Sequence, residues 1–239
     1  MGINLVLMCY DKPTQKKEML MIILVFGQRG GAMKSICSQN LAVELAHRQH
    51  SVCLVDADPG GTTANFGAYR EEEGIEPAIF CVQKKGKITK TLQELDTKYD
   101  YVIVDVQGNI DPTRTQEMRS GLLAADIALA PFRPTQDHRD SILEVQDLID
   151  TAMDFNSKLK AFCMVSIAPT HTAREQDITF TKNTLREFSS MGVLDTVAYN
   201  RVVYSDAYAT GRGVREMSDA KAKAEMNALV EELLEKANG

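Results

Sequence analysis

The 239-residue chain lacks any close cysteine pair. Its five cysteines, Cys9, Cys37, Cys53, Cys81 and Cys163, are odd in number, far apart and never in C-x-x-C spacing. That argues against a disulfide framework or a zinc ribbon and makes a reducing cytoplasm the simplest compartment. No apolar run approaches the roughly 20 residues that cross a bilayer. The opening MGINLVLMCYDKPTQKK does not read as a secretory signal, because its charges follow the apolar stretch and no small-residue cleavage site comes after it. Positive charge is not in excess: 27 Lys+Arg stand against 33 Asp+Glu, a formal net charge of -6. That balance argues against a protein that coats nucleic acid with its whole surface, and leaves room for a local basic patch. Histidines do not cluster; His47 and His50 lie at the end of an expected helix, read as surface residues without a partner thiolate or carboxylate for a metal. Internal repeats and low-complexity tracts are absent.

What remains is an ordinary globular composition, 44% hydrophobic and 25% charged, of a length suited to one domain or two at most. Short apolar strands alternate with helical segments. Strands are expected at 21–27, 51–56, 76–82, 99–105, 125–131, 160–168 and 193–199. Helices are expected at 34–49, 88–97, 137–154, 174–190 and 217–237. Near-continuous apolar strands between helices predict an α/β fold, a mostly parallel twisted sheet covered on both faces. Residues 21–239 are read as this domain, and 1–20 as an extension outside its rhythm. Either INLVLMCY is an added edge strand with DKPTQKK as linker, or the natural start is Met19 or Met21.

Ligands in such sheets bind beyond the carboxyl ends of the strands. After the first strand comes Gly27-Gln28-Arg29-Gly30-Gly31-Ala32-Met33-Lys34-Ser35. A strand, a glycine loop and Lys-Ser opening a helix is the plan of a phosphate cradle: backbone N–H groups and the helix N-terminus meet phosphate, Lys neutralises it, and Ser can ligate Mg²⁺. Gln28 and Met33 stand where G-x-x-x-x-G-K-[ST] has its two glycines, so a glycine-rich turn capping a helix is the plainer alternative. After the second strand, Asp56-Ala57-Asp58-Pro59-Gly60-Gly61 offers two carboxylates for a Mg²⁺ water shell and an attacking water, or simply a turn. YDYVIVD ends a third strand on Asp105, where a carboxylate reaches Mg²⁺ directly or through water.

In their order, R-G-G-A-M-K-S, V-D-A-D-P, Y-D-Y-V-I-V-D and A-D-I-A-L-A-P-F-R-P resemble the ParA/MinD family of deviant Walker A P-loop ATPases, closest to the small ParA-like plasmid and chromosome partition proteins. The stretch from Arg201 to Gly211, with Val214 and Glu216, is similar to a later segment of that family, so the likeness spans about residues 21–237. It implies a cytoplasmic ATPase that dimerises on ATP and Mg²⁺, binds DNA nonspecifically and lets go when a ParB-like partner stimulates hydrolysis. It implies phosphate and nucleotide contacts from Arg29, Gly30, Gly31, Ala32, Met33, Lys34, Ser35, Ile36 and Asp56, with Pro131 and Pro134 near the adenine. Catalysis would rest on Asp58, Lys34 and Arg29, the last reaching the partner subunit's phosphates, and Mg²⁺ on Ser35, Asp105 and Asp56. Arg201, Arg212 and Arg215 lie in the segment matching the family's DNA-binding face; Lys84, Lys85, Lys87 and Lys90 form a second basic run, or a plain solvated surface.

The sequence departs from that pattern. Arg29 replaces the signature lysine, Met33 replaces a glycine and is expected to crowd the phosphates, and Val106-Gln107-Gly108 replaces Thr-Pro. These departures raise an alternative: a hydrolysis-impaired nucleotide-binding adaptor acting in partition, conjugative transfer or cargo positioning. An acidic last helix, with Lys221, Lys223 and Lys236 against Asp219, Glu225, Glu231, Glu232 and Glu235, disfavours membrane attachment.

Overall fold

A computed structural model describes residues 20–108, 116–171, 174–188 and 190–239. The extension expected over 1–20, with Cys9, lies outside these except for Leu20. Seven strands form one sheet in the order β3-β2-β4-β1-β5-β6-β7, every pairing parallel. They are β1 Met21–Val25, β2 Val52–Asp56, β3 Phe80–Gln83, β4 Tyr101–Asp105, β5 Ile127–Phe132, β6 Lys160–Ala168 and β7 Gly192–Tyr199. The expected α/β fold is therefore present, and the sheet is wholly parallel.

Side chains alternate across each strand, so one strand feeds two cores. Met21, Ile23 and Val25 of β1 join the core on one face; Ile22, Leu24 and Phe26 join the other. The first core is closed by α1 (Lys34–His47), α2 (Thr62–Glu72), α8 (Val203–Ala209) and α9 (Ala220–Asn238). The second is closed by α3 (Thr89–Asp96), α4 (Gln116–Leu122), α6 (Ile142–Phe155) and α7 (Glu175–Arg186). A one-turn α5 (Gln136–Arg139) precedes α6 where one continuous helix was expected. The apolar face of α9, including Met226, Leu229, Val230 and Leu233, packs against α1 and β7. No helix among the described residues is long and apolar enough to cross a membrane.

Three helices had no clear sequence signal. In α2 the cause is tertiary. Gly67 sits mid-helix, where glycine is unfavourable, because a β-carbon there would come 2.5 Å from that of Cys81 on β3. The cap of α2 is also remote: Asp56 Oδ2, at the end of β2, accepts from the backbone N–H of Ala64 at 2.6 Å. α4 and α8 each span only seven residues, too short for a periodic pattern.

Candidate phosphate-binding site

The four central strands, β2-β4-β1-β5, deliver their carboxyl ends side by side. Register places Val25, Asp105 and Asp56 in line across β1, β4 and β2. From β1 the chain turns to one side of the sheet and from β5 to the other. The loop after β1 therefore occupies a switch point, where such sheets open a crevice.

That loop holds Gly27 to Met33 and feeds α1. Gly31 has φ +72°, and Met33, the residue before the helix, is also left-handed at φ 70°, ψ 17°. The left-handed region costs a residue with a β-carbon roughly 1–2 kcal/mol, so the glycine missing here is missing from a position whose backbone suits glycine. Met33 is 6% exposed and its side chain joins the core under α1. The expected crowding of phosphates by Met33 is thus not what its packing shows: the side chain turns inward, and the penalty falls on the backbone. Ser166 Oγ on β6 donates to the Ala32 carbonyl at 3.0 Å and pins the loop from below.

Lys34 is buried, and its Nζ donates to the Arg29 carbonyl at 2.9 Å across the loop. Burial lowers its pKa, with Asp105 and Asp58 pulling the other way. Gly108 permits this arrangement: a β-carbon there would lie 2.2 Å from Lys34 Nζ and 2.8 Å from the Arg29 oxygen. So Gly108, one of the departures after Asp105, is demanded by close approach. Arg29 and Gly30 are exposed, while Ser35 and Ile36 at the start of α1 are half-buried.

Asp105 is fully buried, and its carboxyl is pushed up to about 7, first by that burial; the nearby Thr63 and Ser35 hydroxyls oppose the rise. Thr63 Oγ1 donates to Asp105 Oδ2 at 2.7 Å and accepts from Gln39 Nε2 at 3.2 Å. Gln39 and Thr63 were missed in the sequence, because a Gln inside a helix and a Thr after Gly-Gly carry no spacing of their own. Asp105 Oδ1 is buried without a hydrogen-bond partner among the described residues. A buried acceptor left open beside a serine hydroxyl fits Mg²⁺, which takes one or two carboxylates plus substrate oxygens and water in place of a full protein cage.

Asp56 is buried with both oxygens engaged: Oδ1 accepts from the Asp58 N–H at 2.9 Å and Oδ2 from Ala64. Its observed work is to shape the loop. Asp58 is half-buried; its Oδ1 accepts from the Gly60 N–H at 2.8 Å, and its Oδ2 has no hydrogen-bond partner among the described residues. The Pro131–Pro134 turn borders the phosphate loop itself. A β-carbon on Gly27 would lie 3.9 Å from the Pro131 oxygen, and one on Gly31 would lie 3.8 Å from Arg133 Nη1. Pro134 is buried beside them. A separate polar hollow beyond β6 and β7 is lined by Pro169, Thr170, His171, Tyr199, Arg201 and Lys221.

The three arginines expected to face DNA are not equivalent. Arg201 donates from Nε and Nη2 to Glu225 at 2.8 and 2.5 Å and lies over Tyr199. Arg215 pairs with the buried Glu44 at 2.8 Å. Arg212 is half-buried and makes no ion pair or side-chain hydrogen bond among the described residues. Lys85 and Lys87 are exposed beyond β3, and Lys90 faces Glu94 at 3.8 Å. His47, expected as a bare surface residue, pairs with Glu216.

The family model "CobQ/CobB/MinD/ParA nucleotide binding domain" matches residues 23–234. The chain is 26% identical over 203 residues to a protein ParA of Rhizobium radiobacter, covering 82% of this chain and 86% of that one. A Borrelia burgdorferi plasmid partition protein bound to AMPPNP shares the fold at TM-score 0.66 and 17% identity, covering 90% of this chain and 99% of that one. The septum site-determining protein MinD of Pyrococcus horikoshii, complexed with Mg-ADP, does so at TM-score 0.67 and 17% identity, covering 92% and 98%. With its glycine loop, acidic strand ends and parallel sheet in the family's order, this chain belongs to the CobQ/CobB/MinD/ParA nucleotide-binding family.

Proposed function

We propose that the chain is a ParA-like ATPase that binds ATP with Mg²⁺ at the β1 loop, dimerises in that state and positions DNA through sequence-independent contacts. The observation that carries this is the line of four strand ends holding Lys34, Asp105 with its open buried oxygen, and Asp58 with its open Oδ2. Gly30 through Ile36 would hold phosphates, with Asp56 shaping the neighbouring loop. Mg²⁺, when bound, supplies charge neutralisation between the phosphates; Ser35 and Asp105 would hold it, with Asp56 behind them. The base would lie beyond β5 to β7, near Pro131 and Pro134 or in the hollow by Tyr199.

In hydrolysis, Asp58 Oδ2 would orient a water toward the terminal phosphorus, the bond to the bridging oxygen would break, and ADP would leave. Lys34 would leave the Arg29 carbonyl to meet phosphate oxygens, and Arg29 of a second copy would add charge in the transition state. DNA contact falls to Arg212 with Lys85 and Lys87, since Arg201 and Arg215 already serve carboxylates. A small number of such cations suits weak, salt-sensitive binding by a cytoplasmic, nucleoid-associated dimer, released when a ParB-like partner stimulates turnover. Membrane attachment has no part in this reading. ATP turnover measured with and without nonspecific DNA tests it: Asp58→Ala should abolish turnover while nucleotide binding persists. Turnover unaffected by Asp58→Ala would refute the assignment of the water.

The left-handed Met33 favours one second reading: a nucleotide-binding adaptor on the same scaffold with impaired hydrolysis, acting in partition, conjugative transfer or cargo positioning. It predicts binding without turnover, and turnover lost in Asp58→Ala would reject it.

A further inference from the structure

The turn after β5 carries a cation, Arg133, to which the reading above gives no role. Arg133 stands between two buried residues, Phe132 and Pro134, and its turn is closed by the Thr135 N–H donating to the Arg133 carbonyl at 2.8 Å. β5 pairs directly with β1, so this turn lies beside the β1 loop. The guanidinium reaches over that loop, with Nη1 3.8 Å from the place a β-carbon on Gly31 would take.

Its pairing is the unusual part. Arg133 Nε is buried with no acceptor, and the side chain makes no ion pair or side-chain hydrogen bond among the described residues. A buried donor without a partner is costly, and a guanidinium more so. Three cations share this neighbourhood: Arg133, Lys34 and Arg29 each lower the pKa of the buried His138, after the larger effect of burial and with Asp137 opposing. Elsewhere in this protein the arginines of the flank face carboxylates, as Arg70, Arg201 and Arg215 do. An unpaired planar donor fork aimed over a phosphate-type loop matches an anionic, multi-oxygen ligand.

We propose that Arg133 is a phosphate-recognition residue, delivered within the same subunit from the β5 turn, that binds oxygens of the nucleotide's phosphate chain over Gly31. This rests on the nucleotide-binding reading above. It gives the loop a second cation from its own subunit besides Lys34, in a chain whose Arg29 is assigned to the partner's phosphates.

The test is calorimetric titration of the full chain with the β,γ-imido analogue of ATP and Mg²⁺, for wild type, Arg133→Gln and Arg133→Lys, alongside nucleotide-free melting temperatures. Loss of a charge-assisted hydrogen bond should weaken the analogue about tenfold to a hundredfold in Arg133→Gln. Arg133→Lys should recover part of that loss, and neither variant should melt lower than wild type without nucleotide. Unchanged affinity in Arg133→Gln would overturn the inference. So would a lower nucleotide-free melting temperature with no recovery by Arg133→Lys, because Arg133 would then be a structural residue. Failure of the wild type to bind the analogue would instead overturn the nucleotide reading itself.

Discussion

The carboxyl ends of β2, β4, β1 and β5 and the flank formed by α1, α2 and the α8–α9 loop handle charge in opposite ways. On the flank, Arg70 is 2% exposed, donates from Nη1 and Nη2 to Glu216 at 2.8 and 2.7 Å, and also serves the carbonyls of Pro77 and Gly211. Glu216 further accepts from the Gly213 N–H and meets His47 Nε2. Arg201–Glu225 and Arg215–Glu44 complete a set in which charges are matched. At the strand ends, Asp105 Oδ1, Gln28 Oε1 and Arg133 Nε are buried and unmatched among the described residues, and Met33 holds a left-handed backbone. The flank's pairs hold elements together. The strand-end groups cost stability in the nucleotide-free chain, which is the signature of a surface built for something it binds.

A matched pair of carboxylate-to-amide changes should separate the two regions most strongly. Glu216→Gln leaves Arg70 buried without its charge partner and should lower unfolding free energy by about 3 kcal/mol or more. Asp105→Asn, by contrast, replaces a buried carboxylate with a neutral amide, and should leave the nucleotide-free chain at least as stable while weakening Mg²⁺-dependent nucleotide binding. Urea unfolding of both variants checks this; losses of equal size would erase the distinction.

Met33→Gly probes the strained loop. Relief of the left-handed backbone returns roughly 1–2 kcal/mol, but loss of a buried methionine side chain costs about 2–5 kcal/mol. The side chain outweighs the backbone at mid-range, so net stability should fall by about 2 kcal/mol, with nucleotide affinity little changed. A large gain in affinity would revive the crowding idea.

The succession of strands along the chain, the loop, and the places of Asp56, Asp58 and Asp105 at strand ends could all be read in the sequence, because apolar runs ending in Gly or Asp mark a parallel sheet and its open edge. The pairing of charges could not. Arg201 and Arg215 resembled a DNA face, yet their carboxylates arrive from α9 and α1, 24 and 171 residues away. Thr63, Gln39, Ser166 and Arg133 reach the site only through neighbouring strands and helices, at separations no local pattern encodes. Gly67 hid α2 for the same reason, since the contact that requires it is across the sheet edge.

The basic surface offers a smaller effect. If DNA is bound, Arg212→Ala should weaken it evenly across sequences and reduce the salt slope by about 1. Arg201→Ala should cost stability while leaving that slope in place, because its charge is already taken by Glu225. Fluorescence anisotropy over a salt series reads both, and a reversed order would move the DNA face.

The acid limb of stability should show the smallest effect. Burial opposes charge on Glu216, but hydrogen bonds from Arg70 and His47 outweigh it and hold its carboxyl below the usual 4.5. A depressed carboxyl stabilises the fold above its unfolded pKa, and that stabilisation fades as pH falls through the lower folded value. The decline should begin near pH 4.5 in the wild type and be shallower in Glu216→Gln, as followed by melting temperature.

The most direct measurement of the central claim is titration of the wild-type chain and Lys34→Ala with a non-hydrolysable ATP analogue, with and without Mg²⁺. The account predicts one nucleotide per chain, bound more tightly with Mg²⁺ and lost in Lys34→Ala. Absence of binding by the folded wild type, or binding indifferent to both Mg²⁺ and Lys34, would contradict it.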